Sequence, residues 1–145
     1  MKKTHILFTL FFASLMVLSC STNYNDISSD HTDVIGFTSS AVLELPLSES
    51  NPEINFPLKY FVSSISSSER TFQLKVVEEE TELSEDSYLF DANVVVPANE
   101  RIGTIIFTAL NISLTNEFQR IVLAFESTSE TVSGNKMKIA LKTND

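Results

Sequence analysis

Ile54-Asn55-Phe56-Pro57-Leu58-Lys59-Tyr60 places Ile54, Phe56, Leu58 and Tyr60 on one side of an extended chain and Asn55 and Lys59 on the other. A period of two is the signature of a strand with one buried face. The same pattern returns along the chain. In 71–77, Phe72, Leu74 and Val76 alternate with Gln73 and Lys75. In 119–126, Ile121, Leu123 and Phe125 share a face. Near the C-terminus Met137, Ile139 and Leu141 face one way, and Lys136, Lys138 and Lys142 the other. Segments 34–37, 41–45, 88–96 and 102–110 have strand-like composition. Turn-rich stretches separate them, such as Ser48-Glu49-Ser50-Asn51-Pro52, Pro97-Ala98-Asn99-Glu100 and residues 63–68 and 127–135.

Seven to eight short strands with one apolar face each predict an all-β fold, two antiparallel sheets packed face to face over residues 34–145. The chain has 11 Phe and no Trp, so phenylalanine supplies most of the aromatic core. Pro57 lacks an N–H for the ladder, which predicts an edge or kinked strand around it. Three lysines on one face of the last strand would discourage edge-to-edge pairing if that strand is exposed.

The N-terminus reads differently. Lys2 and Lys3 precede a mostly apolar run at 6–18, too short to span a bilayer and of signal-peptide length. Val17-Leu18-Ser19-Cys20 follows, with Cys20 the single cysteine of the chain. These four residues resemble a bacterial lipobox, in which the thiol receives the lipid, although Leu18 stands where a smaller residue is usual. The resemblance implies a signal peptide at 1–19, a covalent lipid on Cys20, and a membrane anchor without a transmembrane helix. Two or more acyl chains hold a protein stably where one holds it marginally. Ser21, not Asp, comes next, the pattern sent on to the outer membrane in Gram-negative systems. Both the surface-facing and the periplasmic side are compatible with it. Residues 20–33 then read as the lipidated cysteine and a polar, flexible tether.

Within the domain, Arg70-Thr71-Phe72-Gln73-Leu74-Lys75-Val76, then Tyr88, then Val94-Val95-Val96-Pro97-Ala98-Asn99-Glu100-Arg101-Ile102-Gly103 resembles a recurrent pattern in lipoproteins of the Bacteroidota. Those domains are immunoglobulin-like and related in style to Calx-beta modules. Asn99 replaces a glycine of that pattern, and asparagine tolerates positive φ well enough to keep the turn. Gly103 stands where a small residue is common. The resemblance implies an immunoglobulin-like sandwich in the cell envelope.

Catalytic groups are scarce. His5 lies in the signal and His31 in the tether, so no histidine is available to activate a serine, and a Ser-His-Asp arrangement is excluded. Gly36, Gly103 and Gly134 are isolated, which excludes a phosphate-cradling loop, and zinc lacks its Cys and His ligands. A formal net charge of −9 repels nucleic acid. The acidic run Glu78-Glu79-Glu80-Thr81-Glu82, with Glu85 and Asp86, offers hard oxygens for calcium through Glu79, Glu80, Glu82 and Asp86. It lacks the Asp-x-Asp-x-Asp-Gly spacing of a calcium loop, and a solvated loop is the plainer reading. No aromatic platform for a glycan stands out: Tyr24 is in the tether, Tyr60 and Tyr88 fall on inward phases, and Phe61, Phe90 and Phe118 lie near strands. The expected protein is a lipid-anchored, non-catalytic envelope module without a cofactor, binding protein partners or polysaccharide. The alternatives are a purely structural envelope component and a calcium-stabilised adhesion module.

Overall fold

Alternation becomes two layers in the computed structural model, which describes residues 32–144. Ten strands form: β1 (Asp33–Phe37), β2 (Val42–Leu47), β3 (Glu53–Val62), β4 (Arg70–Val76), β5 (Tyr88–Phe90), β6 (Asn93–Val96), β7 (Ile102–Leu110), β8 (Gln119–Phe125), β9 (Thr131–Ser133) and β10 (Met137–Thr143). One sheet runs β5-β7-β3-β1-β9 and the other β2-β10-β8-β4-β6. The protein is an all-β, immunoglobulin-like sandwich. The predicted signal peptide, Cys20 and the tether as far as His31 lie outside the described residues.

Inward-facing side chains of both sheets make one core. Phe37, Phe107 and Phe125 are its largest fully buried members, beside Ile35, Leu47, Ile121, Ile139 and Leu141. The Phe37 and Phe125 rings meet at 5.2 Å, and Tyr60 lies 5.7 Å from Phe125, so aromatics from both sheets lock at the centre. The residues expected on inward faces are there: Leu58, Tyr60, Leu74, Ile121, Leu123, Met137, Ile139 and Leu141 are all buried, though β8 also buries Val122 and Ala124 on its other face.

Three expectations about the strands are corrected. Most ladders are antiparallel, but β1 pairs with β9 and β2 with β10 in parallel, so both sheets are mixed. The cause is the corner between β1 and β2. The Thr38 amide donates to the Lys59 carbonyl at 3.0 Å, still in the first sheet, and by Val42 the chain has crossed into the second. The single strand expected over 88–96 is two strands in opposite sheets. The Asp91 carboxylate accepts the Asn93 amide at 2.8 Å, an Asx turn that breaks the run. β9 lies inside the expected turn at 127–135. The lysine-bearing β10 is interior, between β2 and β8, with Lys138 and Lys142 half-buried on the outer face.

Pro57 sits in β3, the middle strand of its sheet, yet breaks no ladder bond. The Val62 amide bonds the Arg101 carbonyl and the Asn111 amide bonds the Pro52 carbonyl, so even-numbered β3 residues bond towards β7. Pro57 therefore turns its nitrogen towards β1, and β1 ends opposite Tyr60. The proline occupies a local edge within a central strand.

Candidate functional site

Arg70 opens β4 on the same inward phase as Phe72, Leu74 and Val76, and an inward arginine needs partners. Its Nη1 donates to Asp33 Oδ2 at 2.8 Å and to Ser64 Oγ at 3.0 Å, and its Nη2 to the Ser64 carbonyl at 3.0 Å. Nε is buried without an acceptor. The guanidinium lies over the Phe72 ring, 5.8 Å from its centroid. Asp33 belongs to β1 of the opposite sheet and also accepts from Ser63 Oγ at 3.3 Å. One ion pair thus bridges the two layers where the sandwich opens.

A cleft of about 330 Å³ lies there, lined by Asp33, Arg70, Thr71, Phe72, Gln73, Glu126, Thr128, Glu130 and Thr131. Its far wall is a stiff turn: Thr128 Oγ1 accepts the amides of Glu130 and Thr131 at 3.2 and 3.1 Å, and the Asp33 amide donates to the Glu130 carbonyl at 2.9 Å. Carboxylates, hydroxyls, an amide and a guanidinium surround one partly buried ring. That set can exchange hydrogen bonds with a ligand rich in hydroxyls while the ring covers an apolar face. These residues come from three separated stretches of chain, so no spacing motif reveals them. The legible signal was Arg70 itself, a charge on an inward phase.

The acidic run is placed otherwise than a calcium loop requires. β4 ends at Val76; the Val77 amide still bonds the Val122 carbonyl, Glu78–Glu80 turn once as a 3₁₀ helix, and the Glu82 and Leu83 amides return to the Arg120 carbonyl. Thr81 closes the excursion. Its hydroxyl donates to the Val77 carbonyl at 2.9 Å and accepts the Val122 amide at 3.1 Å. Glu80 pairs with Lys136, and the lysine's hydrogen bond holds its carboxyl below the ordinary value, with Lys138 and Arg120 adding and desolvation opposing. Glu82 accepts the Arg120 amide at 3.4 Å, and Asp86 accepts from Ser113 Oγ at 3.1 Å. Bonds from Ser84 and then Ser113 lower the Asp86 pKa, again against desolvation. Glu79 is exposed. No three metal-ligating side chains gather among the described residues. Glu80, Glu82 and Asp86 are thus committed to separate partners, a lysine, a backbone amide and a serine hydroxyl.

The aromatics are also accounted for. Tyr60 and Tyr88 are buried, and desolvation raises both phenol pKa values, with Glu85 and Glu78 raising Tyr88 further. Phe61 and Phe90 are half-buried. Phe118 is 40% exposed, with the Lys142 ammonium 5.1 Å from its centroid.

No family model matches the chain, and no curated protein matches it. Solved structures do. A protein of unknown function from Bacteroides ovatus superposes with a TM-score of 0.61 at 11% identity, over 75% of this chain and 44% of its own. A proposed carbohydrate-binding protein from Bacteroides ovatus ATCC 8483 gives 0.57 at 14%, over 74% and 36%. The apo-form Calx CBD1 domain gives 0.57 at 9%, over 79% of this chain and all of its own. The chain spans less than half the length of the two Bacteroides structures. The likeness is one of fold: a Calx-beta-like sandwich.

Proposed function

We propose that this chain is a lipid-anchored, non-catalytic module of the cell envelope that binds polysaccharide at the Arg70–Phe72 cleft. The observation that carries the reading is the chemistry of that cleft: a guanidinium over a phenyl ring, ringed by Thr71, Gln73, Glu126, Thr128 and Glu130, at an opening between sheets. The carbohydrate-binding description of one structural neighbour agrees with it. Cys20 supplies the anchor to the outer membrane through its lobe of acyl chains, and the domain needs no cofactor for this role.

Affinity electrophoresis against a panel of soluble polysaccharides tests the binding. The wild type is retarded by at least one of them without added metal, and a Glu126→Gln/Glu130→Gln variant, altered only at exposed side chains, migrates freely. Free migration of the wild type throughout the panel overturns the reading, and release of reducing ends would make the protein a hydrolase. Fractionation beside Cys20→Ser tests the anchor: wild type in the membrane, variant soluble. Protease shaving of intact cells then reports the side it faces.

A further inference from the structure

β4 is held unevenly by its two neighbours. The Leu74 amide donates to the Ala92 carbonyl at 2.8 Å, which with the β4–β6 register turns the backbone N–H and C=O groups of Arg70, Phe72 and Leu74 towards β6. Those of Thr71 and Gln73 turn the other way, towards β8, where the Glu126 amide meets the Gln73 carbonyl at 2.8 Å. The ladder stops there. Its next step would set Thr128 opposite Thr71, but the Thr128 amide donates to the Thr131 carbonyl at 2.8 Å and the chain folds back on itself. Among the described residues the N–H and C=O of Thr71 therefore have no partner, and Thr71 lines the cleft.

In an extended strand the N–H and C=O of one residue point the same way, side by side. Two hydroxyls on adjacent ring carbons match that pair: one oxygen accepts from the N–H while its neighbour donates to the C=O. A single amide cannot, because its own N–H and C=O point in opposite directions, and a carboxylate has no donor. Charge narrows the class further. Arg70, the one cation lining the cleft, is spent on Asp33 and Ser64. Glu126 and Glu130 are exposed, and neither joins an ion pair among the described residues. An anionic sugar would meet two carboxylates and no free counter-charge.

We infer that the sugars selected here are uncharged and present a free vicinal diol, which takes the ladder position β8 vacates at Thr71; the inference rests on polysaccharide binding at this cleft. Thr71 supplies the orienting donor and acceptor through its backbone, and the Phe72 ring beside it covers the apolar side of the same sugar.

Affinity electrophoresis of the full chain tests this with neutral glucans, mannans and galactans, with the uronate polymers alginate and pectate, and with those two after reduction of their carboxyl groups to alcohols. Neutral polymers retard the protein and lose the effect after periodate, which cleaves between hydroxyl-bearing neighbouring carbons; alginate and pectate do not retard it. Thr71→Pro removes the free N–H where proline breaks no ladder bond, and weakens binding about tenfold or more. Thr71→Val keeps the backbone and stays within about twofold of the wild type. Retardation by alginate or pectate as strong as by its reduced form overturns the inference and leaves polysaccharide binding standing. So does retardation that survives periodate, or a Thr71→Pro variant that melts and binds as the wild type does. If Thr71→Pro misfolds, the uronate and periodate arms decide. A protein retarded by no polymer overturns the polysaccharide reading and this inference together.

Discussion

Tyr60 and Gly103 face each other across β3 and β7. The Tyr60 ring runs over Gly103 to reach the Val95 carbonyl, so its hydroxyl ties the central strand β3 of one sheet to the outermost strand β6 of the other. A β-carbon on Gly103 would stand 2.0 Å from the Tyr60 hydroxyl oxygen and 2.2 Å from the ring carbon bearing it. Gly103→Ala therefore destabilises the fold by about 1–3 kcal/mol through overpacking, read by denaturant unfolding. In a Tyr60→Ala background the added methyl costs much less, and a double-mutant cycle reports that coupling. Asn99 is the second residue whose role is conformational. It adopts φ 65°, and the Glu100 amide bonds the Pro97 carbonyl at 3.2 Å, a type II turn. Both positions were legible in the sequence, Asn99 because so few residues tolerate that φ and Gly103 because a small residue recurs there. The partner of Gly103 was not legible, since Tyr60 reads equally well as an ordinary core residue.

The stretch from Val77 to Leu83 behaves as an element of its own, a one-turn detour from a ladder that Thr81 stitches shut. Thr81→Val keeps the shape but orphans the amide of fully buried Val122 and costs about 1–3 kcal/mol, measured as a shift in the unfolding midpoint. Glu80 gives the same element its pH dependence. Its folded pKa lies below its ordinary 4.5, so the Lys136 pairing stabilises the fold above that value and is lost as pH falls through the lowered pKa. An acid titration of stability should show a steeper fall below about pH 4.5 in the wild type than in Glu80→Gln. Equal slopes would mean that Lys136 does not favour the carboxylate. Period-two alternation located the long strands because each keeps one apolar face. It missed β9, where Thr131-Val132-Ser133 is too short to show a period, and the break at Asp91, because a side chain bonding two residues onward leaves no trace in hydropathy.

At the scale of the molecule, Asp33 and Arg70 are the charged tie between layers, with side-chain exposures of 22% and 18%. Asp33→Ala strands a mostly buried guanidinium and lowers stability by about 1–3 kcal/mol, whereas Asp33→Ala/Arg70→Met recovers much of the loss, both read by thermal melting. Sequence reading counted Asp33 with the tether, since nothing local shows that an acid so near the start answers an arginine in another sheet. The cleft escaped for the same reason: its walls meet only when the sheets close. That closure has an order imposed by topology. β1 and β2, early in the chain, lie parallel to β9 and β10 at its end. A chain emerging from a ribosome N-terminus first can complete neither sheet until its final strand has appeared. Contacts between such distant residues also form slowly. β2 in particular, whose one ladder partner is β10, has nothing to pair with until the far end of the domain has been made.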